Sequence, residues 1–531
     1  MPRTDQRTTQ PLSPEDGPPT PPAGMRAAST GGYRKLGQAP PPAKPPVEVI
    51  VLNRIAFGPR QGDVDRLRAS GLPAYFEEQL HPDGIDDSPL AQAAAGVDLS
   101  LLPATVPALW ARRTLPDFNA RGLAFRQVRT AAFLRAIYSR KQLQEVLVDH
   151  WHNHFNVYGP QDPGHYLWPD HDARIRRNLF GNFRKLLEEM ATSGPMVYYL
   201  DNQFNRKSGT NENFARELFE LHAMGVQAYI PGIPPSDPKI VYPGYRDADV
   251  YDAARCFTGW MVADNANNAA IGNTGATIFY EAEHDIGQKY VLNAFIQQNQ
   301  SAANDGRMVL DRLAAHPATA TNVVTRLARR LVADTPSKSL IAAGVAAFTA
   351  NLQADDQLRK TYAALLNHPD FTEVWGEKVK RPFESVVAAL RATGATWAWS
   401  DEFDYTYGAI GHRLFEWGPP DGFPDKREAW TSSTQLVRRW NLINWLCQGE
   451  IQGTTMALTA RTPGDVRPVA LAAYWTKELL GYTPPESEIQ PLVDFLARGR
   501  NPGFPLPESA INERTNALAA LIFQMPAALL R

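Results

Sequence analysis

The sequence predicts a mainly α-helical fold: a large multi-helix domain with long irregular loops and few or no strands. Apolar residues recur at the helical spacing i, i+3, i+4, i+7 over most of the chain, and few stretches alternate apolar and polar residues with a period of two. We find no internal repeat of fixed period. With 531 residues, 44% of them hydrophobic and 21% charged, the chain is long enough to bury a substantial interior.

The N-terminal segment differs from the rest in composition. Residues 1–46 contain twelve prolines among Ser, Thr and Gly, and they have neither the apolar segment nor the small-residue cleavage site of a secretory signal peptide. This composition predicts a disordered Pro-rich arm. Order is expected to begin near Val47, at the first apolar run. We divide the ordered part into a helical core, 47–450, and a C-terminal helical extension packed on it, 451–531.

The helices are expected in the following order. Two short ones lie between residues 61 and 80, separated at Gly71–Pro73. Residues 105–158 have helical spacing, and Ser139 with Gln142 predicts a capping box there. Gly225 and Gly259 are expected to end two later helices. Further helices are predicted over about 174–192, 211–224, 247–258, 318–333, 337–367, 376–396, 431–448 and 508–530, with loops over 158–172, 261–308 (with a short hairpin) and 400–430.

Charge and motif content exclude several classes of protein. The 54 basic and 56 acidic residues give a net charge of −2, which argues against a nucleic-acid partner. No run of about 18 apolar residues is present to cross a membrane, so we expect a soluble, cytoplasmic protein. Cys256 and Cys447 have no C-x-x-C spacing and are expected to be buried thiols. No G-x-G-x-x-G follows a strand, so no nucleotide cofactor is expected.

The first polar cluster is the segment DHWHNHFNV, which places three histidines within five residues of a predicted helix. His150 and His154 share one helical face at i, i+4, whereas His152 points nearly opposite. The three therefore cannot bind one metal ion from a regular helix. Two interpretations stay open, metal ligands or histidines satisfied by their neighbours in the core.

The second cluster is NENFARELFELHAMG, from Asn211 to Gly225. Glu217 and His222 are five residues apart, about 140° around an α-helix, so they are not expected to bind the same ion. Glu217 is the better candidate for a ligand or general base, with Arg216 as its ion-pair or anion-binding partner. A buried Arg–Glu–Asn network that holds helices together is the alternative.

The third cluster is EHDIGQK, in a predicted loop. His284 is a candidate ligand or acid–base group, with Asp285 as its orienting carboxylate. Lys289 follows in the same loop. A structural role for all three is the alternative.

These clusters, in this order, resemble motifs of the bacterial DUF1800 family over roughly residues 48–445. The segment NENFARELFELHAMGV followed by DVYDAARCFTGW resembles the central signature of that family, and WHNHF and HDIGQK resemble flanking motifs. Three further segments are similar, HPATATNVVTRLARRLVADTP, KVKRPFESVVAALRATG and GPPDGFPDKREAW. The family's function is unknown, so the resemblance implies no reaction. It implies importance for Trp151, Asn153, His154, Phe155, Asn211, Glu212, Asn213, Arg216, Glu217, Glu220, His222, Gly225, Thr258, Gly259, Trp260, His284, Asp285 and Lys289, and less firmly for His152; His150 is outside the pattern.

Three functions are compatible with these residues. The first is a metal-dependent hydrolase with His154, Glu217 and His284 around one ion; His and carboxylate ligands suit Zn, Mn, Fe or Cu. The second is an iron- or copper-dependent oxidoreductase in the same pocket, and the third a non-catalytic binding or scaffold protein. No G-x-S-x-G motif is present, which favours a metal over a serine nucleophile. The candidate metal ligands are His152, His154, His222 and His284, and the candidate catalytic residues are Asn153, Asn213, Arg216, Glu217, Glu220, Asp285 and Lys289.

Overall fold

The fold is built from helices of four to twenty-one residues joined by irregular loops, as the sequence predicts. The computed structural model describes residues 42–231, 243–266, 269–300 and 303–531. Residues 42–531 form one compact unit. The arm predicted over residues 1–46 lies outside the described residues, apart from its last five.

Eleven α-helices lie between residues 47 and 231. They are α1 (Val47–Arg54), α2 (Asp63–Ser70), α3 (Leu72–Leu80), α4 (Ser88–Ala94), α5 (Val106–Ala111), α6 (Phe118–Tyr138), α7 (Gln142–His154), α8 (Trp168–Asn178), α9 (Phe183–Ala191), α10 (Gly194–Tyr199) and α11 (Asn213–Glu217). A π-helical turn, Leu218–His222, continues α11 directly.

Thirteen α-helices follow in the rest of the described chain. They are α12 (Asp247–Cys256), α13 (Asn304–Ala315), α14 (Pro317–Leu331), α15 (Lys338–Ala350), α16 (Gln357–Leu366), α17 (Asp370–Glu373), α18 (Pro382–Thr393), α19 (Asp401–Gly408), α20 (Ser433–Gln448), α21 (Pro468–Leu480), α22 (Glu486–Ala497), α23 (Glu508–Gln524) and α24 (Pro526–Leu529).

The described strands are short and form three antiparallel pairs. Strand β1 (Trp260–Val262) pairs with β2 (Thr277–Phe279), β3 (Lys289–Val291) with β4 (Ala294–Ile296), and β5 (Thr396–Trp397) with β6 (Thr454–Thr455). Single 3-10 turns occupy Pro82–Gly84, Arg112–Thr114, Gly164–Leu167, Asn202–Phe204, Val226–Ala228, Ala269–Ile271, Glu281–Glu283, Arg427–Ala429 and Thr459–Arg461. The hairpin predicted within 261–308 is present as β3–β4, and none of the strands is long enough to organise the core.

Helix α7 lies in the interior of the protein, where most of its side chains are buried. It packs against α3, α6 and α8, and Trp151 and Leu147 on it are fully buried. The indole nitrogen of Trp151 donates to the Tyr362 hydroxyl at 2.8 Å, which satisfies the polar atom that burial would otherwise leave unpaired. The helix that carries the three histidines is therefore held rigidly by the core.

Several predicted helix ends are wrong, each for a local reason. The capping box is absent, since α7 begins at Gln142 and the Gln142 amide instead donates to the carbonyl of Ser139 at 2.8 Å. The helix predicted over 174–192 is two helices, broken near Gly181, and it starts earlier, at Trp168. The one predicted over 337–367 is also two, α15 and α16, and the loop predicted over 400–430 contains α19.

A buried ion network ties α7, α14 and α18 together. Glu384 accepts from Arg330 at 2.5 Å and also from Arg531, and Asp149 accepts from Arg330 at 2.8 Å and from Arg381. Burial alone would raise the pKa of Glu384, but the surrounding guanidinium groups hold it well below its usual range. Three guanidinium groups thus surround two carboxylates, and this network belongs to the architecture of the fold.

No helix in the described ranges combines the length and the apolar character needed to cross a lipid bilayer.

Candidate functional site

A polar cleft of about 410 Å³ opens between the end of α7, the π-helical turn, α14 and a loop before α20. Helix α7 contributes one face of side chains, and α14 contributes a pair of arginines. Its lining residues are His150, Asn153, His154, Glu220, Leu221, Val226, Gln227, Asn322, Arg326, Arg329, Asp421, Gly422, Phe423, Pro424, Asp425 and Lys426. The cleft thus gathers parts of the first two sequence clusters with a loop some 270 residues away.

Asn153 holds that loop against the end of α7. Its amide nitrogen donates to the Phe423 carbonyl at 2.9 Å, and its amide oxygen accepts from the Phe423 backbone nitrogen at 2.7 Å. Gly422 has a φ of 78°, and a Cβ built there would overlap the carbonyl oxygen of Asn153. The loop can approach this closely only because position 422 is glycine. Asn153 is therefore placed to shape the cleft.

His150 and His154 project from one face of α7 into the cleft, as their i, i+4 spacing predicts. Their ring centroids are 6.1 Å apart, and the ring of His222 lies 6.3 Å beyond that of His154. The Nε2–H of His154 donates to the carbonyl oxygen of His222 at 3.0 Å, because a carbonyl can only accept. This bond leaves the lone pair of His154 on Nδ1.

Three imidazole nitrogens here are buried without a hydrogen-bond partner among the described residues: Nε2 of His150, Nδ1 of His154 and Nε2 of His222. Burial and the nearby Arg326 hold the pKa of His150 and of His154 well below the usual 6.5, and the same causes lower that of His222 to about 3. All three rings are consequently neutral at neutral pH. A neutral imidazole nitrogen with a free lone pair is the form that binds a metal ion.

Glu220 lies on the π-helical side of the cleft, whereas Glu217 is not among the residues that line it. Burial raises the pKa of the half-buried Glu217, and the negative charges of Glu220 and Asp421 raise it further. Glu220 pairs with Arg216 at 3.4 Å, and Arg216 also pairs with Glu212 at 2.9 Å. The 140° separation of Glu217 from His222 assumed a regular α-helix and does not apply here, because residues 218–222 form a π turn.

Two half-buried arginines of α14 form the opposite wall. Arg326 donates to the backbone carbonyls of Leu221 and Asp421, both at 3.4 Å, and Arg329 donates to the carbonyl of Asp334 at 3.2 Å. Neither makes an ion pair with a carboxylate of the described residues. Burial and then the charge of Arg329 lower the pKa of Arg326 to about 10, so it still carries its charge at neutral pH.

His152 lies on the far side of α7, away from the cleft. Its Nε2 is 3.0 Å from Asp172, which also accepts from Arg176 at 2.8 Å. Burial alone would raise the pKa of Asp172, but Arg176, His152 and Arg135 together hold it well below its usual range. This arrangement joins α7 to α8, and it gives His152 a carboxylate partner inside the protein.

The third cluster forms a separate buried site. Both ring nitrogens of His284 face protein oxygens: Nδ1 is 2.8 Å from the Thr258 carbonyl, and Nε2 is 3.0 Å from Asp305. Lys289 pairs with the same carboxylate oxygen at 2.8 Å, and Asp285 pairs with Arg255 at 2.7 Å. His284 therefore has no nitrogen left for a metal ion.

Thr258, His284 and Asp305 have the order of a nucleophile–histidine–carboxylate triad, but not its accessibility. All three side chains are buried, and the Thr258 hydroxyl donates to the Arg255 carbonyl at 2.7 Å while accepting from the Asp285 backbone nitrogen at 2.8 Å. A hydroxyl engaged in this way is not free to attack a substrate. This site holds the loop before β3 onto α12.

The remaining predicted catalytic residue, Asn213, has a structural contact. The backbone nitrogen of Asn213 donates to the side chain of Asn211 at 2.9 Å at the start of α11. Within the residues that the structure describes, no three His, Cys, Asp or Glu side chains are already arranged around a point where a metal ion would sit. His154, Glu217 and His284 are therefore not placed as one ligand set.

Burial raises the pKa of both thiols, Cys256 and Cys447, that of Cys447 to about 12.

Sequence reasoning missed the arginine wall and the loop from Asp421 to Lys426. Both lie in segments that resemble the family, HPATATNVVTRLARRLVADTP and GPPDGFPDKREAW, but neither was assigned a role. The available signal was the i, i+3 spacing of Arg326 and Arg329 in an otherwise apolar helix pattern.

The comparisons with known proteins give one family. The sequence model of a family described as "Protein of unknown function (DUF1800)" matches residues 50–530. No curated protein and no solved structure matches the chain.

Proposed function

The chain belongs to the DUF1800 family, and we propose that it is a metal-dependent hydrolase whose site is the cleft between α7, the π-helical turn and α14. The observation that carries the proposal is the pair of neutral, buried imidazoles of His150 and His154, which both line this cleft and each have one buried ring nitrogen without a hydrogen-bond partner among the described residues. Histidine nitrogens at i, i+4 on one helical face are a recurrent pair of zinc ligands.

The donor set fits a divalent ion. The Nε2–H of His154 donates a hydrogen bond to the backbone carbonyl of His222, which fixes the tautomer and the orientation of the ring. Hydrogen-bond partners of metal-binding histidines commonly have this role. At a metal–nitrogen distance of about 2.1 Å, two such rings would have centroids about 5 Å apart. The observed distance between the ring centroids is 6.1 Å, so binding of one ion by both rings requires them to move closer together.

A carboxylate completes the ligand set in this proposal. Glu220 and Asp421 both line the cleft, and both are at least partly accessible. Two imidazoles and a carboxylate, with no thiolate, suit Zn, Mn or Fe. When bound, the ion supplies Lewis acidity to the scissile group. The cleft is open and polar, so water can enter as the nucleophile, which favours hydrolysis over redox chemistry.

The side chains around the ion position and transfer protons. Glu217 does not line the cleft, but burial and the charges of Glu220 and Asp421, which do line it, raise its pKa, and in this proposal it serves as the general base. Asn153 holds the loop of Asp421 against α7 through two hydrogen bonds to the Phe423 backbone, which positions the wall that carries this carboxylate.

One observation favours a second function, a non-catalytic binding protein. No set of three ligands is already assembled within the described residues, so the histidines would then be neutral hydrogen-bonding groups in a binding cleft. That function predicts ligand binding without metal and without turnover. The cytoplasmic location and the absence of a nucleic-acid partner stay predictions.

The two functions are separated by an activity assay on chelated and reconstituted protein. Nitrophenyl esters of carboxylic and phosphoric acids are offered to the wild type with and without Zn²⁺ or Mn²⁺. We expect metal-dependent release of nitrophenol, reduced about 100-fold or more in His154→Ala. His152→Ala, on the same helix but on the other face, is the matched control and keeps its activity. Turnover that survives chelation, or that His154→Ala leaves unchanged, contradicts the proposal.

A further inference from the structure

The charged side chains that line the cleft differ in whether they form ion pairs within the protein. Two of the carboxylates form ion pairs, Glu220 with Arg216 at 3.4 Å and Asp425 with Lys378 at 3.2 Å, whereas Asp421 accepts from the uncharged indole of Trp417 at 2.9 Å. Among the described residues, Arg326 and Arg329 donate to backbone carbonyls and form no ion pair. Two arginines therefore face one unpaired carboxylate, that of Asp421, and the net unpaired charge is positive.

The two arginines also repel each other. They stand at i, i+3 on α14 and line the same cleft, and burial and then the charge of Arg329 lower the pKa of Arg326, an effect that the carboxylates of Asp425 and Asp421 oppose. Lys426, exposed and also lining the cleft, adds a third cation on the side of the loop. A cluster of like charges that costs free energy in the fold is stabilised when an anion binds between them.

We propose that the substrate of this cleft carries a phosphoryl group, which Arg326 and Arg329 bind. Guanidinium groups match phosphate oxygens geometrically and form charge-assisted hydrogen bonds with them. Two adjacent cations favour a dianion over a monoanion, and a phosphate monoester is a dianion above a pH of about 6. Carboxylates and sulfate esters carry one charge and would leave one arginine uncompensated.

The neutral histidines of the opposite wall place no negative charge beside a bound anion. Asn322, on the same face of α14, donates one amide N–H to the Ala223 carbonyl at 2.8 Å. His150 and His154 face the cleft from the opposite side. The phosphoryl group would thus lie between the arginine wall and the histidine wall, beside the proposed metal ligands.

This inference rests on the proposed function for the reaction, but the binding step can be measured without it. Inorganic phosphate is titrated calorimetrically into chelated protein at pH 8, so that neither metal nor turnover is involved. We expect binding that weakens about tenfold or more in Arg326→Gln and in Arg329→Gln. The matched control is Arg177→Gln, which removes an exposed charge on α8, outside the cleft.

The outcomes separate the two proposals. Phosphate binding that depends on both arginines, in a protein that neither takes up metal nor hydrolyses esters, supports the inference and contradicts the hydrolase. No phosphate binding by the wild type, or equal binding by the folded Arg326→Gln and Arg329→Gln variants, overturns the inference. Acetate that binds as tightly as phosphate also overturns it. Circular dichroism shows whether each variant is folded, and Arg329 provides a second test if Arg326→Gln is not.

Discussion

Acidification should unfold this protein well above the pH at which its carboxylates protonate. Five histidines are buried with a pKa held below the usual 6.5, which for His222 is lowered to about 3; burial is the largest cause in each case. They are His150, His154, His171, His222 and His412. In the unfolded chain each takes up a proton near pH 6.5, whereas in the folded protein it does not. The unfolded state therefore gains protons as the pH falls, and the free energy of unfolding decreases.

The size of the effect follows from these five groups. At pH 5.5, one unit below the pKa of an unfolded histidine, each buried neutral ring costs about 1.4 kcal/mol relative to pH 8. Five such rings cost about 7 kcal/mol, which is comparable with the whole free energy of unfolding of a typical protein. The stability is fully present above pH 6.5 and is lost progressively below it.

Urea unfolding of chelated protein at pH 8, 6.5 and 5.5 measures this directly. His171→Gln, remote from the cleft, should make the loss between pH 8 and 5.5 smaller by about 1.4 kcal/mol. His81→Gln is the control, because that side chain is exposed, and it should leave the pH dependence unchanged. A free energy of unfolding that stays constant from pH 8 to 5.5 would refute the reasoning.

Two further predictions concern the scaffold of the site. Glu384→Gln should lower the free energy of unfolding in urea by about 3–5 kcal/mol, because it leaves buried guanidinium groups uncompensated. The control Glu78→Gln, in an exposed ion pair, should lower it by less than about 1 kcal/mol. Equal effects of the two substitutions would contradict the role of the buried network. Gly422→Ala should lower the free energy of unfolding by more than about 1 kcal/mol and weaken phosphate binding, because the added Cβ meets the Asn153 carbonyl. Gly418→Ala, with open space around the added Cβ, should do neither. A Gly422→Ala variant with unchanged stability would show that the loop is not held as described.

The helical class was predictable because the apolar period is expressed in nearly every segment. Helix α12 at Asp247–Cys256 and helix α14 at Pro317–Leu331 agree with the predicted ranges to within two residues. Breaks inside long periodic segments were not predictable from periodicity, since Gly181 and the turn between α15 and α16 interrupt the backbone without changing the apolar pattern. The π turn at Leu218–His222 inserts a wider turn that only the hydrogen bonds reveal.

The candidate site was predictable in part. The face shared by His150 and His154 follows from i, i+4 geometry on one helix, and so does the opposite direction of His152. The partners of these residues could not be predicted, because they come from distant segments. Asp421 and Phe423 line the cleft in a loop that Asn153 holds by hydrogen bonds to Phe423. The identity of His284 as a satisfied core residue depends on Asp305, which is 21 positions further along and carries no local signal.

The most direct test of the central claim is the metal content of the untagged protein after chelation and reconstitution with Zn²⁺, Mn²⁺ or Fe²⁺, measured by plasma mass spectrometry. The wild type and His152→Ala should retain one equivalent of metal. Folded His150→Ala and His154→Ala should retain less than about a tenth of that. Zinc or manganese in the native protein supports hydrolysis, whereas iron or copper would redirect the assignment to oxidative chemistry. A wild-type protein that binds none of these ions, or a folded His154→Ala that binds as much as the wild type, would contradict the metal site.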